Sequence, residues 1–181
     1  MKYVCLLRAV NVSGKRKIVM KEFCKQLSDQ GLEQVSYYLQ SGNILFHSDS
    51  DKQTILDVID QVIKQHWQLD DVELFLYDRI NMKAAYEQMP DSFLTYSPDA
   101  LHFTFLHTAP DTENFQAVSA TQSAFDPDLF ALSEKLVYIH CPNGYGRTRI
   151  NNGYFEKKLN VKATTRNHKT MIALLERLEA M

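Results

Sequence analysis

The chain alternates between stretches with a hydrophobic period of two residues and stretches with a helical period, and these changes predict its secondary structure. Short apolar or alternating runs are typical of strands, and they occur at residues 3–10, 35–40, 44–46, 72–77, 101–106, 129–132, 136–141 and 161–165. Apolar residues spaced three and four apart predict helices that begin near residues 20, 51, 79, 112, 148 and 168. Ser50 or Asp51 is suited to cap one of these helices, and Asp111 or Thr112 is suited to cap another.

The predicted elements follow the order strand, helix, strand, strand, helix, strand, and this order occurs twice. It is the βαββαβ arrangement of the ferredoxin-like fold. We therefore predict an α/β (α+β) protein made of two ferredoxin-like halves, packed or intertwined as one unit. The first half covers residues 1–78, a connecting helix and loop cover 79–98, and the second half with a C-terminal helix covers 99–181.

Composition places the chain among globular proteins with a sizeable core, because 45% of its 181 residues are hydrophobic and 23% are charged. A net charge of −2 and a pI of about 6.3 disfavour broad, charge-driven binding to nucleic acid. No apolar run has the length of a membrane span, and Arg8 interrupts the apolar start, which we interpret as a first strand and not a signal peptide.

Cysteine and histidine spacing gives no sign of a disulfide framework or a metal site. The three cysteines Cys5, Cys24 and Cys141 are far apart in sequence. The histidines at positions 47, 66, 102 and 107 also lack metal-ligand spacing. We expect a cytoplasmic protein without a metal or an organic cofactor.

Four sequence blocks carry a family resemblance. They are YVCLLRAVNVSGKRKIVM, YYLQSGNILF, PNGYGRTRI and KATTRNHKT. In this order they resemble the bacterial family catalogued as domain of unknown function 1697, over nearly the whole chain. The resemblance implies an α/β fold of two ferredoxin-like halves and implies no particular activity. Ala9 and Ser13 stand where that family usually has glycine.

The stretch at residues 136–150 suggests a first hypothesis, a cysteine-dependent phosphatase. His140-Cys141, five residues and then Arg147-Thr148 have the spacing of such a loop. Cys141 would be the nucleophile, Arg147 the phosphate clamp and Thr148 a hydroxyl partner of the sulfur, with the amides of residues 143–147 converging on the phosphate. A hairpin turn at residues 133–134 would place Asp126 opposite Cys141 as general acid, with Asp128 as the next choice.

Several features oppose that hypothesis. Pro142 removes one amide from the loop, and a free cysteine that ends an apolar strand is commonly a buried hydrophobe. The strand also belongs to a predicted hairpin, whereas a phosphatase loop normally follows a strand of a parallel sheet.

A second hypothesis, which we prefer, needs no cysteine. The loop would bind a phosphorylated small molecule or nucleotide without cleaving it. Three loops with arginine or lysine beside glycine, asparagine, serine or threonine are suited to anions, although basic residues are also common on solvated surfaces. The candidate ligand-binding residues are Asn143, Gly144, Gly146, Arg147 and Arg149, together with Asn11 and Lys15 of the first loop and Arg166 near the last helix.

A third hypothesis is a non-enzymatic module that binds RNA or protein through an open sheet face. Tyr37, Tyr38 and Phe46 lie on adjoining predicted strands and could form an aromatic platform. Aromatic residues in strands more often pack in the core, and the acidic pI counts against RNA.

Overall fold

The computed structural model of this protein describes residues 1–11 and 17–181. The first βαββαβ set comprises β1 (Lys2–Leu7), α1 (Met20–Asp29), β2 (Glu33–Tyr37), β3 (Asn43–His47), α2 (Lys52–Trp67) and β4 (Leu74–Asp78). Helix α3 (Arg79–Glu87) and two 3-10 turns follow. The second set comprises β5 (Leu101–Leu106), α4 (Thr112–Ser119), β6 (Leu129–Leu132), β7 (Leu136–His140), α5 (Asn152–Leu159) and β8 (Ala163–Asn167). Helix α6 (His168–Ala180) ends the fold.

Each set of strands forms one antiparallel four-stranded sheet. The strand order is β2-β3-β1-β4 in the first sheet and β6-β7-β5-β8 in the second. In both sheets the first and third strands of the set are central and antiparallel to each other. This is the ferredoxin-like topology, so the predicted fold class is confirmed.

Local sequence explains several of the observed element boundaries. A carboxylate oxygen of Asp51 accepts hydrogen bonds from the amides of Gln53 and Thr54, both at 3.0 Å, and α2 begins directly after this cap. Asp111 caps α4 in the same way through the amide of Asn114, at 2.8 Å. Free amides at a helix start need such acceptors, which is why the predicted caps coincide with real helix starts.

Contacts between residues divide the chain into two compact units. One unit contains Met1–Ala84 together with Ala173–Met181, and the other contains Ala85–Ile172. The C-terminal residues are attached to the first unit by polar contacts. The Glu179 carboxylate accepts a hydrogen bond from the Arg79 guanidinium at 2.8 Å. The Glu179 backbone oxygen accepts a second one from Lys2 Nζ at 3.0 Å.

The second sheet buries alternate residues of β7 on opposite faces, as strand geometry requires. Val137 and Ile139 point to the face covered by α5, where they pack with Phe155 in a fully buried cluster. Tyr138 belongs to the other face and contacts Phe103 edge to face, with ring centroids 5.8 Å apart. The two faces are therefore separate environments. Successive residues of the strand alternate between them.

The loop after β1 adopts a backbone conformation that favours glycine. Ala9 has φ of +56°, in the left-handed region, and its side chain is exposed. Lys15, a candidate ligand-binding residue, and Ser13 lie outside the described residues. No helix among the described residues has the length and apolar character needed to cross a membrane.

Candidate functional site

The candidate loop at residues 141–151 joins β7 to α5. The Cys141 amide continues the sheet by donating to the Ala100 carbonyl at 2.8 Å. Gly144 then has φ of +89°, a conformation that L side chains rarely adopt, and a 3-10 turn follows at Tyr145–Arg147. Helix α5 begins only at Asn152, capped by the Asn151 side chain, and not near residue 148 as predicted.

A tertiary contact explains the late helix start. The Thr148 hydroxyl donates to Asp128 Oδ2 at 2.6 Å and accepts from the Ile150 amide at 3.1 Å. Both bonds hold Thr148 in an extended conformation, with ψ of 147°, so it cannot occupy a helical turn. The chain therefore enters α5 through Asn151, the next residue able to cap a helix.

The loop forms one wall of an open cavity of about 350 Å³. The segment before β6 forms the other wall. The lining residues are Phe125, Asp126, Pro127, Asp128, Asn143, Arg147 and Arg149. Four predicted site residues, namely Asp126, Asn143, Arg147 and Arg149, thus line the same cavity although two segments of the chain supply them.

The two arginines of the cavity differ in how they are held. Arg149 donates from Nη2 to the Ala124 carbonyl at 3.2 Å, and its guanidinium carbon lies 5.3 Å from the centre of the Phe125 ring. This contact has the geometry of a cation–π interaction. Arg147 is exposed, and its side chain makes no hydrogen bond or ion pair with the described residues. Because no described residue occupies its guanidinium donors, they are available to a ligand.

Tyr145 anchors the loop to the sheet. Its ring stacks on His102 of β5 with centroids 4.8 Å apart. Its hydroxyl contacts Thr165 Oγ1 at 3.0 Å and accepts from the Asn152 amide at 3.0 Å. Burial raises the pKa of Tyr145 and lowers the pKa of His102, so both rings are neutral at neutral pH. No local sequence signal indicates this anchor, because its partners lie up to 43 residues away.

Cys141 is a poor nucleophile in this structure. Only 1% of its surface is exposed, and it packs with Val137 and Ile139 in the apolar cluster beneath α5. Burial raises the pKa of the Cys141 thiol to about 11, and the nearby Thr148 hydroxyl offsets this only in part. A thiol with this pKa is ionised in only about one molecule in ten thousand at pH 7. Cys141 also does not line the cavity that contains Arg147.

The loop amides do not form the cradle that phosphatase chemistry needs. The Gly144 amide donates to the Cys141 carbonyl and the Arg147 amide donates to the Gly144 carbonyl, both at 3.0 Å. Pro142 has no amide to offer. These two amides are therefore directed to the loop's own carbonyls and are not available to a phosphate.

The predicted general acid also occupies a different place. Leu129 pairs with His140 and Leu132 with Val137, so the hairpin turns around residues 134–135 and the predicted register is wrong by two residues. Asp128, and not Asp126, continues this register opposite Cys141. Asp128 accepts from Thr148, as described above, whereas Asp126 is exposed at the cavity. The turn sets this register, and its two central residues carry no strong turn signal.

Two further candidate residues serve structural roles. The Asn11 side chain donates to the Ile18 and Gln40 carbonyls at 3.0 and 2.6 Å, and it accepts from the Ile18 amide at 2.8 Å. Arg166 is buried on the Phe103 face of the second sheet, opposite to the face that carries Thr165. Its Nη1 donates to Thr164 Oγ1 at 2.8 Å. Neither residue lines the cavity.

The proposed aromatic platform of the first sheet is not an open surface. Phe46 is fully buried and stacks on Tyr3 with centroids 5.8 Å apart. Tyr38 is partly covered by Arg177, whose guanidinium carbon lies 5.0 Å from the ring centre. Across residues 1–11 and 17–181, no three His, Cys, Asp or Glu side chains are grouped so that they could hold a metal ion.

Comparisons with known proteins identify relatives of this chain. The model of the family described as "Protein of unknown function (DUF1697)" matches residues 1–138. Among solved structures, the chain is similar to that of conserved bacterial protein SP0830 from Streptococcus pneumoniae. The two are 23% identical over 98% of each chain, with a TM-score of 0.74, which supports the shared fold. No curated protein matches the chain significantly. The family match includes residues 125–128 of the cavity and ends before the loop at 143–149.

Proposed function

The chain belongs to the DUF1697 family, and we propose from the geometry of its second half that it binds a phosphorylated small molecule or a nucleotide. The binding site is the cavity between the segment at residues 125–128 and the loop at 143–149. The observation that carries this proposal is the Arg147 guanidinium. It lines the cavity beside Arg149 and Asn143 and has no partner among the described residues.

The chemistry of these side chains suits a phosphate group. A guanidinium presents donors in a planar fork that matches two phosphate oxygens, and the amide of Asn143 can donate to a third. Arg149 is held against the Phe125 ring, which reduces the entropy lost when it meets a ligand. The cavity volume of about 350 Å³ lies within the range of small-molecule sites.

The loop is also pre-organised by bonds that do not use these side chains. The Tyr145 hydroxyl contacts Asn152 and Thr165, and the Thr148 hydroxyl contacts Asp128. These bonds hold the backbone on both sides of Arg147. A ligand therefore has to order few groups, which favours affinity.

Thermal unfolding with inorganic phosphate and with adenosine monophosphate tests the proposal. A ligand at ten times its dissociation constant stabilises the folded state by about 1.4 kcal/mol, and this raises the Tm by about 3–6 °C for a chain of this length. Arg147→Ala should abolish most of that shift. Lys135→Ala is the matched control, because it removes one exposed positive charge from the hairpin turn of the same half.

The proposal fails if neither compound raises the Tm of the wild-type protein. It also fails if Arg147→Ala and Lys135→Ala reduce the shift equally, because the effect would then reflect net charge and not a site.

A further inference from the structure

The cavity carries charges of both signs. Arg147 and Arg149 line it from the loop, and Asp126 and Asp128 line it from the segment before β6. The formal charges of its lining therefore cancel at neutral pH. On the premise that the proposed phosphate site is real, we infer that its ligand is a phosphorylated amine. The phosphate would contact the arginines and the ammonium group would contact the aspartates.

The four charged groups are not used up by pairing with one another. No ion pair within 4.0 Å joins either arginine to either aspartate among the described residues. Asp126 has no hydrogen bond there, and Asp128 accepts from Thr148 through Oδ2 only, which leaves Oδ1 for a ligand. Arg149 uses a single donor, Nη2, on the Ala124 carbonyl. Donors and acceptors both remain available at the cavity.

The charges are also segregated along the chain. Both aspartates belong to one segment and both arginines to the other, and the Thr148–Asp128 bond ties the two segments together. The lining is therefore dipolar and its orientation is fixed. A dipolar ligand can place each of its ends against the opposite charge.

A phosphate dianion without an amine fits this lining less well. It gains attraction from the arginines but meets repulsion from two carboxylates that line the same small space. An ammonium group on the same ligand reverses the sign of the second interaction. A divalent cation that bridges phosphate and carboxylates is the competing explanation, and it is excluded by measuring binding in the presence of EDTA.

Isothermal titration with two probes tests this inference. The probes are O-phosphoethanolamine and ethyl phosphate, which share the phosphate and the two-carbon chain and differ in the amine. With EDTA at pH 7.5, the wild-type protein should bind O-phosphoethanolamine more tightly. The preference should be about 1.5- to fivefold for each carboxylate that contacts the amine, the range of exposed charge pairs.

Asp126→Asn should change the two affinities in opposite directions. It should lower the affinity for O-phosphoethanolamine and raise the affinity for ethyl phosphate, each by about 1.5- to fivefold. Asp126 is chosen because its carboxylate has no structural partner among the described residues, so the fold should be unaffected. Glu134→Gln is the matched control, since it removes one negative charge at the hairpin turn. That turn is six residues from Asp128, which is roughly 20 Å along a strand and beyond the screening length in 0.15 M salt.

The outcomes separate the inference from the proposed function. Equal affinity for the two probes, or a shift of both in the same direction in Asp126→Asn, overturns the phosphorylated amine while phosphate binding stands. The same applies if O-phosphoethanolamine binds only when magnesium replaces EDTA, because the cation would then explain the binding. If neither probe nor inorganic phosphate binds, the proposed function itself is overturned.

Discussion

Removal of the Tyr145 hydroxyl should loosen the candidate loop without altering any cavity side chain. Tyr145→Phe loses two bonds at 3.0 Å, one from the Asn152 amide and one with Thr165, and a longer bond at 3.5 Å to Asn152 Oδ1. The ring keeps its stacking on His102, so the change is confined to hydrogen bonding. Asn152 is the first residue of α5, where a free amide has no partner within the helix.

The expected loss of stability depends on the hydrogen bonds that Asn152 and Thr165 keep in the variant. A partly buried amide without an acceptor costs about 1–3 kcal/mol, and solvent access puts Asn152 at the lower end. Thr165 keeps hydrogen bonds to Thr104 and to the Asn152 side chain, so the loss of its bond to Tyr145 costs little stability. We expect the free energy of unfolding to fall by about 1–2 kcal/mol, and the Tm by about 2–8 °C. The affinity for phosphate should fall as well, because the loop loses its pre-organisation.

Urea unfolding followed by circular dichroism measures the first effect, and titration with phosphate measures the second. Tyr138→Phe is the control, because it removes one hydrogen bond, to the Ala85 carbonyl at 3.1 Å, away from the cavity. It should reduce stability and leave phosphate affinity unchanged. If Tyr145→Phe changes stability by less than about 0.5 kcal/mol and affinity not at all, the hydroxyl is not an anchor.

Three further predictions follow from single residues. Burial raises the pKa of Cys141 to about 11, so neither the wild-type protein nor Cys141→Ser should hydrolyse an aryl phosphate at pH 7; activity that the serine variant lacks would contradict this. Ala9→Gly should raise the free energy of unfolding by about 0.5–1 kcal/mol, because Ala9 has φ of +56° and an exposed methyl group; a loss of stability would refute the strain. Burial lowers the pKa of His140, so the unfolded chain binds its proton more readily and stability should fall as pH decreases from about 7 to 5. His140→Phe, which keeps the stacking on Tyr96, should lose less stability on this acidification than the wild type; an equal loss would exclude His140.

The fold could be predicted from the sequence where the signals are local. Asp51 and the apolar spacing after it define α2 within one turn of its observed start, and β5 and β6 coincide with their predicted ranges. Such signals depend on residues a few positions apart. The start of α5 was missed because Thr148 and Asn151 are both good caps. The choice between them depends on Asp128, which lies 20 residues away.

The cavity was predicted in part, and for mixed reasons. Asn143, Arg147 and Arg149 stand in one short loop, so their shared location follows from proximity in the chain. The hairpin register that predicts Asp126 is wrong by two residues, yet Asp126 lines the cavity because it belongs to the segment before β6. The Tyr145 anchor could not be predicted, because stacking on His102 depends on how β5 and the loop meet in space.

A comparison of the two halves supports the placement of the proposed site in the second one. Each half has a cavity at the same corner, between the segment before its second strand and the connector from its third strand to its second helix. In the first half that connector is residues 48–51, which lead at once into the Asp51 cap of α2. In the second half it is residues 141–151, far longer than the turn requires.

The two arginines of the cavity belong to the additional residues of the second connector. The first-half cavity, of about 480 Å³, has neither lysine nor arginine among the described residues that line it. These are Met1, Gly31, Glu33, His47, Ser48, Asp49 and Ser50. The shared topology therefore supplies a corner in both halves, and only the longer loop supplies a guanidinium. Loops that exceed what the fold needs are where binding residues concentrate. This difference between two corners of one topology supports the 143–149 loop as the proposed phosphate-binding site.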